Sequence, residues 1–317
     1  MKYFFLALSF SLQFFPLYAQ QEQSFTEESV SLETADGTLY GTLTLPADKK
    51  QYKAVALIIA GSGPTDRNGN NPFMTNNSLQ MLAHYLAEYQ IASLRYDKRG
   101  IAESSDAATA EDSLRFDDYV DDAIAWTSYL NEQENLGKTV IIGHSEGSLI
   151  GMLAAQEAAV EKFISVAGPA QSGDQVLRQQ LSDQPEAIRE PSFAILDSLA
   201  EGKTVKNVPN LLYALFRPSV QPYLLSWFNY IPSEEIKDLA MPILIVQGTT
   251  DIQVSEAEAQ MLAKAVPDAR LVIVEGMNHI MKEASSLKMQ NAATYNQPQL
   301  PLVDEATQAI VDFIRQK

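Results

Sequence analysis

The sequence predicts an α/β protein with a mainly parallel central sheet, helices on both faces and a helical segment inserted late in the chain. Three observations predict it. Short β-branched runs alternate with stretches of helical period. The run 139–142 leads through Gly143-His144-Ser145-Glu146-Gly147 straight into an apolar helical stretch at 148–158. About seventy residues, 171–240, carry no strand pattern and call for a separate helical unit.

Taken in order, residues 30–32 and 38–45 flank Asp36-Gly37 and read as a hairpin. The apolar run 54–59 is a strand, followed by the turn-rich loop Ala60-Gly61-Ser62-Gly63-Pro64-Thr65-Asp66-Arg67-Asn68-Gly69-Asn70. Leu79, Leu82, Ala83 and Leu86 recur at helical spacing over 78–89, and 92–96 is the next strand. Phe116, Tyr119, Val120, Ala123 and Ile124 mark a helix over 116–130; strands 139–142 and 163–166 bracket the helix after Ser145. Beyond the insertion, a strand from Pro242 to Gln247 enters a loop ending at Asp251. Ser255-Glu256-Ala257-Glu258 has capping-box spacing and opens a helix. A strand at 270–274 and a helix over 303–314 complete the chain, and the polar stretch 281–301 reads as irregular. The expected organisation is a core of 20–170 and 241–317 with 171–240 as a helical lid.

The first nineteen residues read differently. Lys2 precedes an apolar run extending to Phe15, and Leu17-Tyr18-Ala19 makes a cleavage site before the polar Gln20-Gln21-Glu22. This is the pattern of a signal peptide, with an uncleaved membrane anchor as the alternative; Gln13 and Pro16 interrupt the run. Export with cleavage near Ala19 is the expectation, leaving no stable membrane anchor. Residues 1–19 hold one lysine and no acid, so their removal takes the net charge from −17 to −18. Such a chain repels nucleic acid and anionic surfaces. It has no cysteine, which excludes disulfides, thiolate catalysis and thiolate metal sites. With no histidine cluster either, the sequence predicts neither metal nor cofactor. Asp117, Asp118, Asp121 and Asp122 read as a solvated helix face.

The chemistry centres on Ser145. A serine on a sharp strand-to-helix turn exposes its hydroxyl at a helix N-terminus, and glycines two residues either side let neighbouring backbone approach. It needs a base, and the chain has three histidines. His84 lies within an amphipathic helix, and His144 is adjacent in sequence on a turn where neighbouring side chains diverge. His279 follows a strand in a loop, where catalytic groups concentrate. Asp251, at the end of another strand, is the acid that would orient it. Backbone N–H groups of Glu146 and of Ser62 are the candidate oxyanion donors. The loop bearing Ser62 lacks both a following Gly-Lys-Ser/Thr and GxGxxG, which disfavours nucleotide binding. In 171–240, Tyr223, Trp227 and Phe228 are candidates to line a substrate pocket, against a purely packing role. Arg217 is expected in a salt bridge fixing this segment.

These motifs resemble those of the α/β-hydrolase superfamily from about Glu28 to the C-terminus, and the order Ser145, Asp251, His279 is the one that fold implies. Tyr96-Asp97-Lys98-Arg99-Gly100 resembles its D-x-R-G element. The loop 61–70 resembles a bacterial carboxylesterase subgroup carrying GSGPxDRxGN; Ala60 stands where relatives carry histidine, so that residue's role is not carried over. The resemblance implies an α/β-hydrolase fold and a serine carboxylesterase acting on a small-molecule ester. Serine aminopeptidase-like relatives keep a peptidase open, and a thioesterase or a binding protein without activity also remains open. Oligomeric state is not legible.

Overall fold

The computed structural model describes residues 24–47, 51–108 and 110–316. The expected signal peptide lies outside them. β1 (Phe25–Thr34) and β2 (Gly37–Pro46) form the predicted hairpin, longer than the apolar pattern suggested because β1 is largely exposed. There follow β3 (Ala54–Ile59), α1 (Ser78–Glu88), β4 (Ala92–Tyr96), α2 (Phe116–Asn131), β5 (Lys138–His144), α3 (Glu146–Glu157) and β6 (Lys162–Val166). Five helices then run without an intervening strand: α4 (Gly173–Leu181), α5 (Glu186–Ala200), α6 (Tyr213–Phe216), α7 (Gln221–Phe228) and α8 (Pro232–Glu235). The sheet resumes with β7 (Ile243–Gly248), α9 (Glu256–Ala265) and β8 (Arg270–Val274), followed by α10 (Lys288–Ala293) and α11 (Asp304–Arg315).

The eight strands pair in the order β1-β2-β4-β3-β5-β6-β7-β8. β2 runs antiparallel to both neighbours; from β4 to β8 every pairing is parallel. Parallel strands buried on both faces read as continuous apolar runs, which is why β3, β5 and β7 are so apolar. Alternate side chains go to opposite faces. Val55, Leu57 and Ile59 join Phe116, Trp126 and Ile150 in a core beneath α2 and α3. Ala56 and Ile58 join Leu82, Leu86, Ile310 and Phe313 in a second core beneath α1 and α11.

The chain crosses from β3 to β4 on one side, then returns to β5 on the other side of β3. This reversal opens a crevice at the C-terminal ends of β3 and β5, the place where open parallel sheets bind ligands. Ser62 follows β3, Lys98 follows β4, Ser145 follows β5, Asp251 follows β7 and His279 follows β8. All five therefore gather at one edge of the sheet.

Three local expectations are corrected. Asp122 is 2% exposed and paired with Arg99, so that helix face is not uniformly solvated. Glu258 does not reach back to cap α9; buried, it accepts the N–H groups of Ala170 and Gln171 at 2.7 and 3.0 Å, at the entry to the helical insertion. Residues 288–293 form α10 rather than irregular chain. A hydrogen bond from Asn291 to the Thr250 carbonyl, 2.8 Å, holds this short helix against the loop after β7.

Candidate active site

Ser145 has φ 55° and ψ −122°, a strained conformation that the surrounding backbone imposes. A Cβ at Gly143 would lie 2.3 Å from the Gly147 carbonyl oxygen, and one at Gly147 would lie 2.4 Å from that of Ile59. Only bare backbone passes at these points. The Ser145 N–H donates to the Val166 carbonyl at 2.9 Å, anchoring the turn to β6. Ser145 itself is half-buried.

His279 is 4% exposed, and its Nδ1 lies 2.8 Å from Asp251 Oδ2. The Asp251 carboxylate also accepts from Gln247 Nε2 at 3.0 Å and from the N–H groups of Gln253 and Val254 at 2.8 and 3.0 Å. Burial alone would raise this carboxyl. The His279 charge and hydrogen bond, with the two backbone N–H groups, outweigh it and hold Asp251 below the usual carboxylate range. An ionised acceptor at Nδ1 fixes the proton there and leaves His279 Nε2 as the basic nitrogen. Ser145 and His279 line one cavity of about 240 Å³, together with Ser62, Gln253 and Tyr295. No hydrogen bond joins Ser145 to the ring among the described residues; such contacts often tighten only with substrate in place.

The other histidines fall where the sequence placed them. His84 is partly exposed and contacts Glu27 at 2.9 Å. His144 packs beside the elbow, its Nε2–H donating to the His279 carbonyl at 2.7 Å. Burial, aided by the charge of His279, pushes its imidazole down to about 4.

The loop after β3 is shaped by its own side chains. Asp66 Oδ1 accepts the N–H groups of Asn68 and Asn70, and Asn70 Oδ1 accepts those of Asn76 and Asn77. Arg67 reaches across to Asp97 with its backbone N–H at 2.7 Å and its guanidinium at 2.6 and 3.0 Å. Ser62 is thereby held exposed at the cavity wall. Glu146 is the first residue of α3, where N–H groups have no intrahelical acceptor.

Sequence reasoning missed Lys98. Only 1% exposed, it donates to the Gly61 carbonyl at 2.7 Å and to Glu146 Oε2 at 3.2 Å, over the Tyr119 ring. Tyr223, from α7, donates to Glu146 Oε1 at 2.6 Å. The one available signal was the Asp97-Lys98-Arg99 triplet, whose members bind three different partners: Arg67, Glu146 and Asp122.

Of the three candidates for substrate contact, Tyr223 lines a second cavity of about 360 Å³, which shares Gly63 and Pro64 with the first. Trp227 and Phe228 do not reach either. Trp227 packs against Gly173 and stacks on Phe116 at 6.4 Å between ring centres, and Phe228 lines a separate hollow with Leu199 and Leu225. Helix α7 turns its Tyr223 face to the sheet edge and these two residues toward its own neighbours. Arg217 pairs with Glu111, tying the insertion to the chain before α2. Among the described residues no group of three or more acidic or histidine side chains is arranged to hold a metal ion.

Residues 74–207 match a family model described as serine aminopeptidase, S33. The chain is 25% identical over 279 residues to Esterase EstD of Thermotoga maritima, covering 84% of this chain and 62% of that one. It thus spans less than two thirds of that relative's length. Among solved structures it is similar to Est1E from Butyrivibrio proteoclasticus, with a TM-score of 0.59 and 17% identity over 91% of this chain and 99% of that one. It is similar to the same degree to proline iminopeptidase of Mycobacterium smegmatis, with a TM-score of 0.59 and 14% identity over 91% of this chain and 98% of that one.

Proposed function

We propose that this chain belongs to the α/β-hydrolase superfamily, whose fold it shares, and that it is an exported serine carboxylesterase. One observation carries the chemistry: the buried Asp251–His279 hydrogen bond borders the cavity that Ser145 also lines. In this reading His279 Nε2 takes the Ser145 proton as the oxygen attacks an ester carbonyl. Asp251 orients the imidazole and stabilises its charged form. The N–H groups of Ser62 and Glu146 stabilise the oxyanion; the alcohol leaves, taking the proton from His279, and water releases the acid by the reverse proton traffic. The five-helix insertion acts as the lid. Export rests on the amino-terminal pattern of Lys2 and the apolar run to Phe15.

The peptidase reading is favoured by the description of the matching family model. An exopeptidase needs an acid free to bind the substrate's amine; no acid lines the cavity of Ser145 among the described residues, and those of the adjoining cavity and of the loop after β3 are engaged. Glu146 is held by Lys98 and Tyr223, Asp66 by its own loop, and Glu111 by Arg217. A cavity whose charges are paired internally suits a neutral ester better. The test is turnover of p-nitrophenyl esters from acetyl to decanoyl alongside aminoacyl-anilides, with wild type and Ser145→Ala. The expected result is ester cleavage reduced at least about 10⁴-fold in the variant. Anilide cleavage without ester cleavage moves the assignment to a peptidase, and wild-type-like ester turnover by Ser145→Ala removes the serine from the reaction.

A further inference from the structure

We infer that Lys98 is a positioning residue of the oxyanion hole, and that the Lys98–Glu146–Tyr223 chain links the helical insertion to both oxyanion donors. The inference rests on the serine hydrolase reading above. Three segments far apart in sequence meet at one buried ion pair: the loop after β3 through Gly61, the elbow through Glu146, and α7 through Tyr223.

The decisive contact is the shortest one Lys98 makes. The Gly61 carbonyl and the Ser62 N–H belong to the same peptide unit, which is planar, with the two groups pointing in opposite directions when trans. Among the described residues there are no cis peptide bonds. An ammonium 2.7 Å from the Gly61 oxygen therefore fixes the direction of the Ser62 N–H, which points the opposite way within that plane. It also polarises the amide, strengthening the N–H as a donor. The loop is packed on one side of Ser62, where a Cβ at Gly61 would lie 3.1 Å from Ser145 Cβ, and open on the other, where Gly63 has free space. The other loop bonds act on neighbouring units, as where Thr65 Oγ1 donates to the Ser62 carbonyl at 2.8 Å; Lys98 holds the 61–62 peptide itself.

The second donor is anchored through its side chain. The Glu146 carboxylate accepts from Lys98 on one oxygen and from Tyr223 on the other, which holds the first residue of α3 in place. Lys98 and Glu146 are nearly fully buried, at 1% and 3% side-chain exposure. Removing one partner of such a pair costs several times what replacing both with neutral groups does. That difference separates an ion pair kept for stability from one kept for alignment.

The experiment compares Lys98→Met, Glu146→Gln and the double variant with wild type and Ser145→Ala on one p-nitrophenyl ester. It measures kcat and KM separately, with thermal unfolding of each protein. Affinity for a trifluoromethyl ketone, which binds as the tetrahedral adduct, is the second readout. Lys98→Met is expected to lower kcat by about 10- to 100-fold, less than loss of a whole oxyanion donor. KM should stay within about threefold, and ketone affinity should fall in step with kcat/KM. Glu146→Gln keeps the Gly61 contact and should lose less than about fivefold, because a carboxamide still accepts from Lys98. The double variant, freed of the unpaired carboxylate, should regain thermal stability while kcat remains low. Recovery of kcat in the double variant would overturn the inference and reduce Lys98 to a counterion of Glu146. So would wild-type kcat in Lys98→Met while Ser145→Ala is dead. Full turnover by Ser145→Ala overturns the hydrolase reading and this inference with it.

Discussion

Replacing His144 with glutamine should make the protein less sensitive to acid, although the residue lies beside the proposed catalytic groups and not among them. The imidazole is 8% exposed, and its Nε2–H is tied to the His279 carbonyl. Burial first, and the charge of His279 second, lower its pKa from 6.5 to about 4. Between those values the unfolded chain binds a proton that the folded chain refuses. Stability therefore falls as pH drops through 6.5 and stops falling, for this group, near 4. Each pH unit in that window removes about 1.4 kcal/mol, giving about 3 kcal/mol over the whole of it. Urea unfolding of wild type and His144→Gln at pH 7 and pH 4.5 measures the difference. The two proteins differ at residue 144 alone, so the difference between their losses reads this position. Wild type should lose about 2.5 kcal/mol more than the variant on acidification. Equal losses in the two proteins would refute a neutral, buried His144. Glutamine retains an N–H able to reach the His279 carbonyl, so the comparison isolates protonation from loss of the bond.

Two further outcomes follow from the site. Asp251→Asn leaves the fold intact but no longer fixes the His279 proton on Nδ1, so kcat should fall about 10³- to 10⁴-fold; a loss under tenfold would remove Asp251 from the mechanism. Gly147→Ala places a methyl group 2.4 Å from the Ile59 oxygen and 2.6 Å from that of Ala60, both rigid backbone. A loss of about 3 kcal/mol in urea unfolding is expected, and a wild-type midpoint would contradict this packing.

The strands β3, β4 and β8 were legible to the residue because each is a short run rich in apolar or β-branched residues between polar or turn-forming ones, although only β3 is apolar throughout and β8, at the end of the sheet, is partly exposed. The placement of Ser145, Asp251 and His279 at one end of the sheet was legible because each stands just beyond a strand run. Lys98 and Asp122 were not. A lysine 1% exposed and an aspartate 2% exposed owe their burial to partners 48 and 23 residues away, and no local period announces a contact over that distance. The aromatic residues of α7 failed for another reason. Tyr223, Trp227 and Phe228 have the same apolar character in sequence, and only the rotation of the helix decides which reaches the cavity wall. The spacing at Ser255–Glu258 found the start of α9 but misassigned the carboxylate, because a distant pair of backbone N–H groups competed for it successfully.

The crowding at Gly143 and Gly147 separates what keeps the pentapeptide from what the proposed chemistry asks of it. Its glycines answer to the carbonyl oxygens of Gly147, Ile59 and Ala60, none of which takes part in chemistry. A descendant that lost Ser145 to drift would still need both glycines to close its sheet against α3. The spacing would outlive the serine. In a lineage of such chains the glycines record the turn, and residue 145 alone records whether the turn is still used.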